Sequence, residues 1–123
     1  MTQLVLDVGN CAPDHASIAR MLQKKYSVRV LQADGLDDTL SILREEKISL
    51  ILINRKLDMD YSDGTLILQA LKADPGLRDI PVMLVTNYEE HQAAAVALGA
   101  LPGFGKLSLD TPQTHERLSA VLS

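Results

Sequence analysis

Residues 48–54 read Ile-Ser-Leu-Ile-Leu-Ile-Asn. A strand with one wet face alternates apolar and polar residues, whereas this run is apolar almost throughout and rich in isoleucine. It therefore predicts a strand covered on both faces, in the middle of a parallel sheet flanked by helices. In such sheets ligands and chemistry gather at the carboxyl ends of the strands. Asn54 ends this strand and is the first candidate site residue.

The other elements alternate around it. Gln3 to Leu6 is an apolar strand ending at Asp7, followed by a loop from Val8 to Ala12. Pro13 and Asp14 mark a helix start, with Ile18, Met21 and Leu22 as its buried stripe and Lys24 and Lys25 at its end. Ser27 to Leu31 alternates, as an edge strand does. After the Asp34-Gly35 turn, Leu36 to Arg44 is a helix with Leu36, Leu40 and Leu43 on one face. Arg55 to Gly64 is a long polar loop. Thr65 to Lys72 is a helix with Leu66, Leu68 and Leu71 among its apolar residues, broken at Asp74-Pro75-Gly76. Pro81 to Val85 is a buried strand ending at Thr86. Glu89 to Leu98 is an alanine-rich helix stopped by Gly99. Leu101 to Gly105 makes a poor fifth strand, because Pro102, Gly103 and Gly105 disfavour ladder pairing. Thr111 caps a last helix that Pro112 opens and that runs to the terminus, with Leu118, Val121 and Leu122 inward.

Five strand–helix units in regular order predict a single α/β domain over residues 1–123. The architecture is a flavodoxin-like (βα)5 three-layer sandwich, its parallel five-stranded sheet ordered 2-1-3-4-5. With three Tyr, one Phe and no Trp, the core must be aliphatic. No apolar run reaches the roughly 20 residues that cross a bilayer, and no signal peptide opens the chain. The lone Cys11 excludes an internal disulfide and fits a cytoplasmic protein. A formal charge of −4 argues against nucleic-acid binding by this domain.

The whole chain resembles the receiver (CheY-like) domain of two-component response regulators. The likeness is carried by Leu66 to Thr86, which includes Lys72, Asp74-Pro75, Leu77-Arg78-Asp79-Ile80-Pro81 and Val82 to Thr86. Ala97-Leu98-Gly99-Ala100 and Lys106 extend it. The resemblance implies a phosphoacceptor position at the end of the third strand and a magnesium site beside the first. It implies phosphoryl contacts from Thr86 and Lys106, and a switch aromatic in the fifth strand. The sequence departs from that pattern where the chemistry sits. Asn54 stands at the phosphoacceptor position, and an amide has no ionised oxygen to attack phosphorus. Asp7 fills the first acidic position and Val8 the second, so one hard ligand is missing and Asp7 is at most a weak metal candidate. Gly103 stands at the switch position, with Phe104 beside it facing the other way, and Leu107 replaces the usual proline.

The resemblance therefore points to a pseudo-receiver in a phosphorelay, a non-enzymatic signalling module without cofactor. It would bind a kinase, an output domain, another signalling protein or a second copy of itself, in receivers often through the surface of fourth helix, fifth strand and fifth helix. In this reading Thr86 and Lys106 hydrogen-bond Asn54 or pair with Asp7. Two alternatives stay open: a working phosphoacceptor that uses Asp7 or Asp58, and a small-molecule-binding module. The second lacks a glycine-rich phosphate loop. Asp58, Asp60 and Asp63 read as a solvated loop with Asp63 capping the next helix. Arg55 and Lys56 read as exposed loop charges. His15, His91 and His115 fall on separate helices without ligand spacing and read as surface residues. Cys11 reads as a partly buried, inert thiol.

Overall fold

The computed structural model describes residues 2–123. Its strands are β1 (Gln3–Val8), β2 (Val28–Ala33), β3 (Leu50–Asn54), β4 (Val82–Val85) and β5 (Leu101–Phe104). Its helices are α1 (Ala12–Lys25), α2 (Leu36–Glu45), α3 (Thr65–Ala73), α4 (Glu89–Ala97) and α5 (Pro112–Ser119). The strands form one sheet in the order β2-β1-β3-β4-β5, every neighbouring pair parallel. This is the flavodoxin-like architecture expected from the strand–helix alternation.

Strand periodicity builds two cores, one on each side of the sheet. Leu50 and Leu52 of β3 pack with Val5, Met83, Val85, α1 and α5. Ile51 and Ile53 point the other way and pack with Leu6, Val8, Leu84, α2 and α3. All four β3 side chains are fully buried, so the near-continuous apolar run has its physical reason. Asn54 is the first residue of the strand to reach the rim.

Several expectations are corrected. Leu57, read as part of a polar loop, is buried in the core beside α3. Leu66, read as part of the apolar set of α3, is 59% exposed, and the buried residues there are Ile67, Leu68 and Leu71. Helix α5 ends at Ser119 instead of continuing to the terminus. Beyond it, Gln3 on β1 donates to the Val121 carbonyl and accepts from Ser123 N–H, so a strand side chain satisfies the tail. Lys106 opens a short 3₁₀ turn, Lys106–Ser108, after β5. The Gly99 stop is borne out: that residue has φ +107°, a left-handed conformation that favours glycine.

Strand β5 is irregular for a reason visible in its sequence. Met83 pairs with Leu101 and Val85 with Phe104, so β5 carries one residue more than β4 between those pairs. That is a β-bulge at Pro102-Gly103. The Gln92 side chain fills the gap in the ladder. It accepts from Gly103 N–H at 2.9 Å and donates to the Leu84 carbonyl at 2.9 Å. One side-chain amide thus joins a donor of β5 to an acceptor of β4, and ties α4 to both.

Candidate functional site

The carboxyl ends of β1, β3 and β4 and the turn after β5 bring Asp7, Asn54, Thr86 and Lys106 to one rim of the sheet. The four are not wired to one another as the sequence reading expected.

Asp7 is fully buried. Both of its carboxylate oxygens are taken. Asn10 donates from Nδ2 to Oδ1 at 2.5 Å, and His15 Nδ1 lies 2.7 Å from Oδ2. When Asp7 is ionised its carboxylate accepts, and the proton of that contact is on His15 Nδ1. Burial pushes the Asp7 carboxyl above its ordinary range, against the pull of His15, Asn10 and the Lys106 charge. His15 comes from the first turns of α1, two residues past Pro13, which aims the helix start at the end of β1. The surface reading of His15 is therefore wrong: its side chain is 20% exposed and its ring closes the site. A Pro-Asp-His at a helix start directly after an acid-ended strand was the available signal.

Lys106 does not reach Asn54. Its Nζ pairs with Asp14 Oδ2 at 2.7 Å, a second contact from α1 that sequence spacing could not show. Lys106 and a hydrogen bond from Cys11 hold the Asp14 carboxyl below its usual value. Asn54 turns its amide nitrogen toward its own loop, donating to the Lys56 carbonyl at 2.6 Å and the Gly9 carbonyl at 3.4 Å. The side chain thus acts as a clip between the β1–α1 and β3–α3 connections. Thr86 Oγ1 lies 3.3 Å from His91 Nδ1 and accepts from Tyr88 N–H. His91 and Tyr88 meet edge to face at the mouth.

Val8 and Gly103 have structural roles. Val8 is buried in the apolar cluster with Ile53. A Cβ on Gly103 would overlap the Leu84 carbonyl oxygen. Phe104 points away from α4 into the α1–α5 core, as the alternation of a strand predicts. Leu107 is 86% exposed.

The remaining candidates do not converge. Asp58 is exposed and anchored by its backbone N–H on the Gly9 carbonyl. Asp63 accepts from Thr65 N–H and hydroxyl, which fits the expected capping role, and Asp60 accepts from Ser62. Among the described residues, no group of three or more His, Cys, Asp or Glu could hold a metal ion. Arg55, Lys56, Lys106 and His91 line a shallow hollow of about 290 Å³ over Asn54 and Thr86. His115, also read as a surface residue, is 13% exposed and packs on Tyr26. Cys11 is a free, half-buried thiol. Among the described residues, no helix is long and apolar enough to cross a membrane.

No protein-family model matches this chain, and no curated protein matches it. Its fold is that of receiver domains. A response regulator from Thermotoga maritima superposes with a TM-score of 0.78 at 19% identity over 98% of each chain. The N-terminal signal receiver domain of a two-component response regulator from Bacteroides fragilis gives 0.78 at 21% identity, covering 98% of this chain and 97% of that one. The manganese-bound form of response regulator Rcp1 gives 0.67 at 18% identity, over 84% of this chain and 78% of that one. The shared property is the five-stranded receiver fold.

Proposed function

We propose that this chain is a receiver-type signalling module that works by binding protein partners, with a strand-end site that takes no phosphate. The observation that carries this reading is the wiring of Asp7. It is buried, and each of its oxygens already accepts a hydrogen bond. Magnesium requires several hard oxygens in near-octahedral geometry. Val8 offers none, Asn54 directs its amide nitrogen at two carbonyls, and Asp7 is engaged. This donor set does not fit magnesium. The same wiring disfavours Asp7 as a substitute phosphoacceptor, since a buried, twice-bonded carboxylate is shielded from an attacking geometry.

A partner surface is available without a switch. The face formed by α4, β5 and α5 carries a groove of about 510 Å³ against which Gln92, Phe104 and Arg117 stand. Tyr88 and Val96 are 60% and 42% exposed beside it. Only Ala95 of α4 is buried, so the small outer face of that helix is free for docking. A kinase, an output domain or a second copy of the chain is the partner class this face serves.

An amide NMR titration with magnesium and beryllofluoride tests the reading. The expected result is no saturable shift at Asp7, Asn54, Thr86 or Lys106. Saturable shifts there overturn it, and radiolabel from acetyl phosphate that disappears in Asp58→Asn would assign the acceptor to that exposed carboxylate. Restoring the acids is expected to fail as well. Asn54→Asp with Val8→Asp leaves His15 and Asn10 on Asp7 and places a carboxylate in an apolar cluster. The double variant should melt lower than the wild type and still ignore magnesium. Magnesium-dependent shifts in it would show that the site is only two residues away from function.

A further inference from the structure

A second groove lies on a different face, between the start of α2 and the connection from β3 to α3, with a volume of about 520 Å³. Leu57 and Ile67 are buried beneath it and Leu36 forms one wall. Met59 and Leu66 stand at its opening, each 59% exposed. Large apolar side chains gathered on one groove mark an interaction site more reliably than scattered ones. The helix pattern does not require this exposure. Ile67, Leu68 and Leu71 serve the core, while Leu66 leaves most of its side chain in water.

The rim of the groove is uniformly acidic. Asp34, Asp37, Asp38, Asp60 and Asp63 line it, and no Lys or Arg does. These are five of the chain's 16 acidic residues, in a molecule of formal charge −4. Helix ends explain part of the clustering. Asp38 accepts from the Asp34 and Gly35 N–H groups, and Asp63 accepts from Thr65. Asp34 and Asp37 are exposed, and among the described residues their carboxylates accept no hydrogen bond. Helix capping also leaves unexplained why two large apolar side chains open into the same acidic groove.

Charge selects the occupant. Membrane surfaces and nucleic acids are anionic and are repelled by this rim. An apolar groove with acidic edges complements a segment that is apolar along one face and cationic beside it. We infer that the α2–α3 groove docks a basic amphipathic segment of a partner protein. Its apolar side chains enter between Met59 and Leu66, and its lysines or arginines lie along the aspartate rim. This surface is separate from the α4–β5–α5 face, so the inference stands whether or not that face binds a partner.

The test uses fluorescence anisotropy with the full chain and a labelled peptide of about 15 residues, with leucines at helical spacing and lysines elsewhere. A scrambled peptide of the same composition and a version with glutamate for lysine serve as controls. The patterned peptide should bind saturably, with amide shifts at Gly35 and from Leu57 to Leu66. Leu66→Ala should weaken it about tenfold, the effect of one apolar side chain left unburied. Asp34→Asn with Asp37→Asn should weaken it about fivefold and flatten its salt dependence. All three side chains are exposed, so thermal melts should match the wild type. Equal binding of the scrambled peptide, an unchanged affinity in Leu66→Ala, or shifts confined to the α4–β5–α5 face would each overturn the inference.

Discussion

His15→Ala should lower the stability of this protein by about 2–3 kcal/mol, because it strips a buried carboxylate of one of its two hydrogen-bond donors. For a domain of this size that corresponds to a fall in Tm of about 10 °C. Asp7 is fully buried beneath the His15 ring, so truncating that ring removes the partner of its Oδ2. The penalty should shrink strongly in a protein already carrying Asp7→Asn, where no charge is left unpaired. A double-mutant cycle is the check: a coupling below about 0.5 kcal/mol would mean that the two residues do not act as a pair.

The same pair has a pH signature. Burial raises the Asp7 carboxyl above its ordinary value of 3.8. The folded state therefore favours the neutral form. Its contribution to stability is complete below the ordinary value and is lost as the pH rises through the raised one. Asp7→Asn removes that loss, so the variant should gain on the wild type as the pH rises above the ordinary carboxyl value of 3.8. Asp14, held low by Lys106, contributes the opposite slope, since its stabilisation is lost as the pH falls. Comparing Asp7→Asn with the wild type cancels the Asp14 term, because both proteins keep it. A difference in Tm that stays flat as the pH rises would contradict the assigned shift.

Gly103→Tyr, which would place an aromatic side chain where the receiver resemblance expects one, should fail to give a folded protein. The reason lies in the backbone. A Cβ at Gly103 would overlap the Leu84 carbonyl oxygen and crowd Gln92, so even Gly103→Ala should cost about 2–3 kcal/mol as β5 is pushed off β4. The companion variant Gln92→Ala should cost about 2 kcal/mol, because it leaves Gly103 N–H and the Leu84 carbonyl without the amide that joins them. Urea denaturation of the two alanine variants measures both effects. A folded Gly103→Tyr protein of wild-type stability would show that β5 can slide back into regular pairing, and that the bulge is a local accommodation and not a lock on α4.

The bulge and the Asp7–His15 pair each tie a helix to the sheet. In one place the imidazole of His15 holds the buried acid Asp7. In the other the amide of Gln92 holds the edge strand β5 against β4. Both ties come from helices, α1 and α4, and both act on strand ends.

By itself, the sequence determined the sheet order, the strand that ends at Asn54 and the helix stop at Gly99. These are period and residue-type properties, set by which side chains must leave water and which backbone shapes a residue allows. Leu57 and Leu66 escaped that reading because a loop and a helix edge have no period that separates core from surface. Only the tertiary structure decided that His15 belongs to Asp7, that Lys106 belongs to Asp14, and that Gln92 repairs the β4–β5 ladder. Each of these contacts joins residues that local spacing does not pair: eight apart across a strand–helix turn, 92 apart between chain ends, and 11 apart across the α4–β5 connection. Their partners are chosen by the short range of a hydrogen bond in the packed protein, and a helix or strand pattern carries no record of that choice.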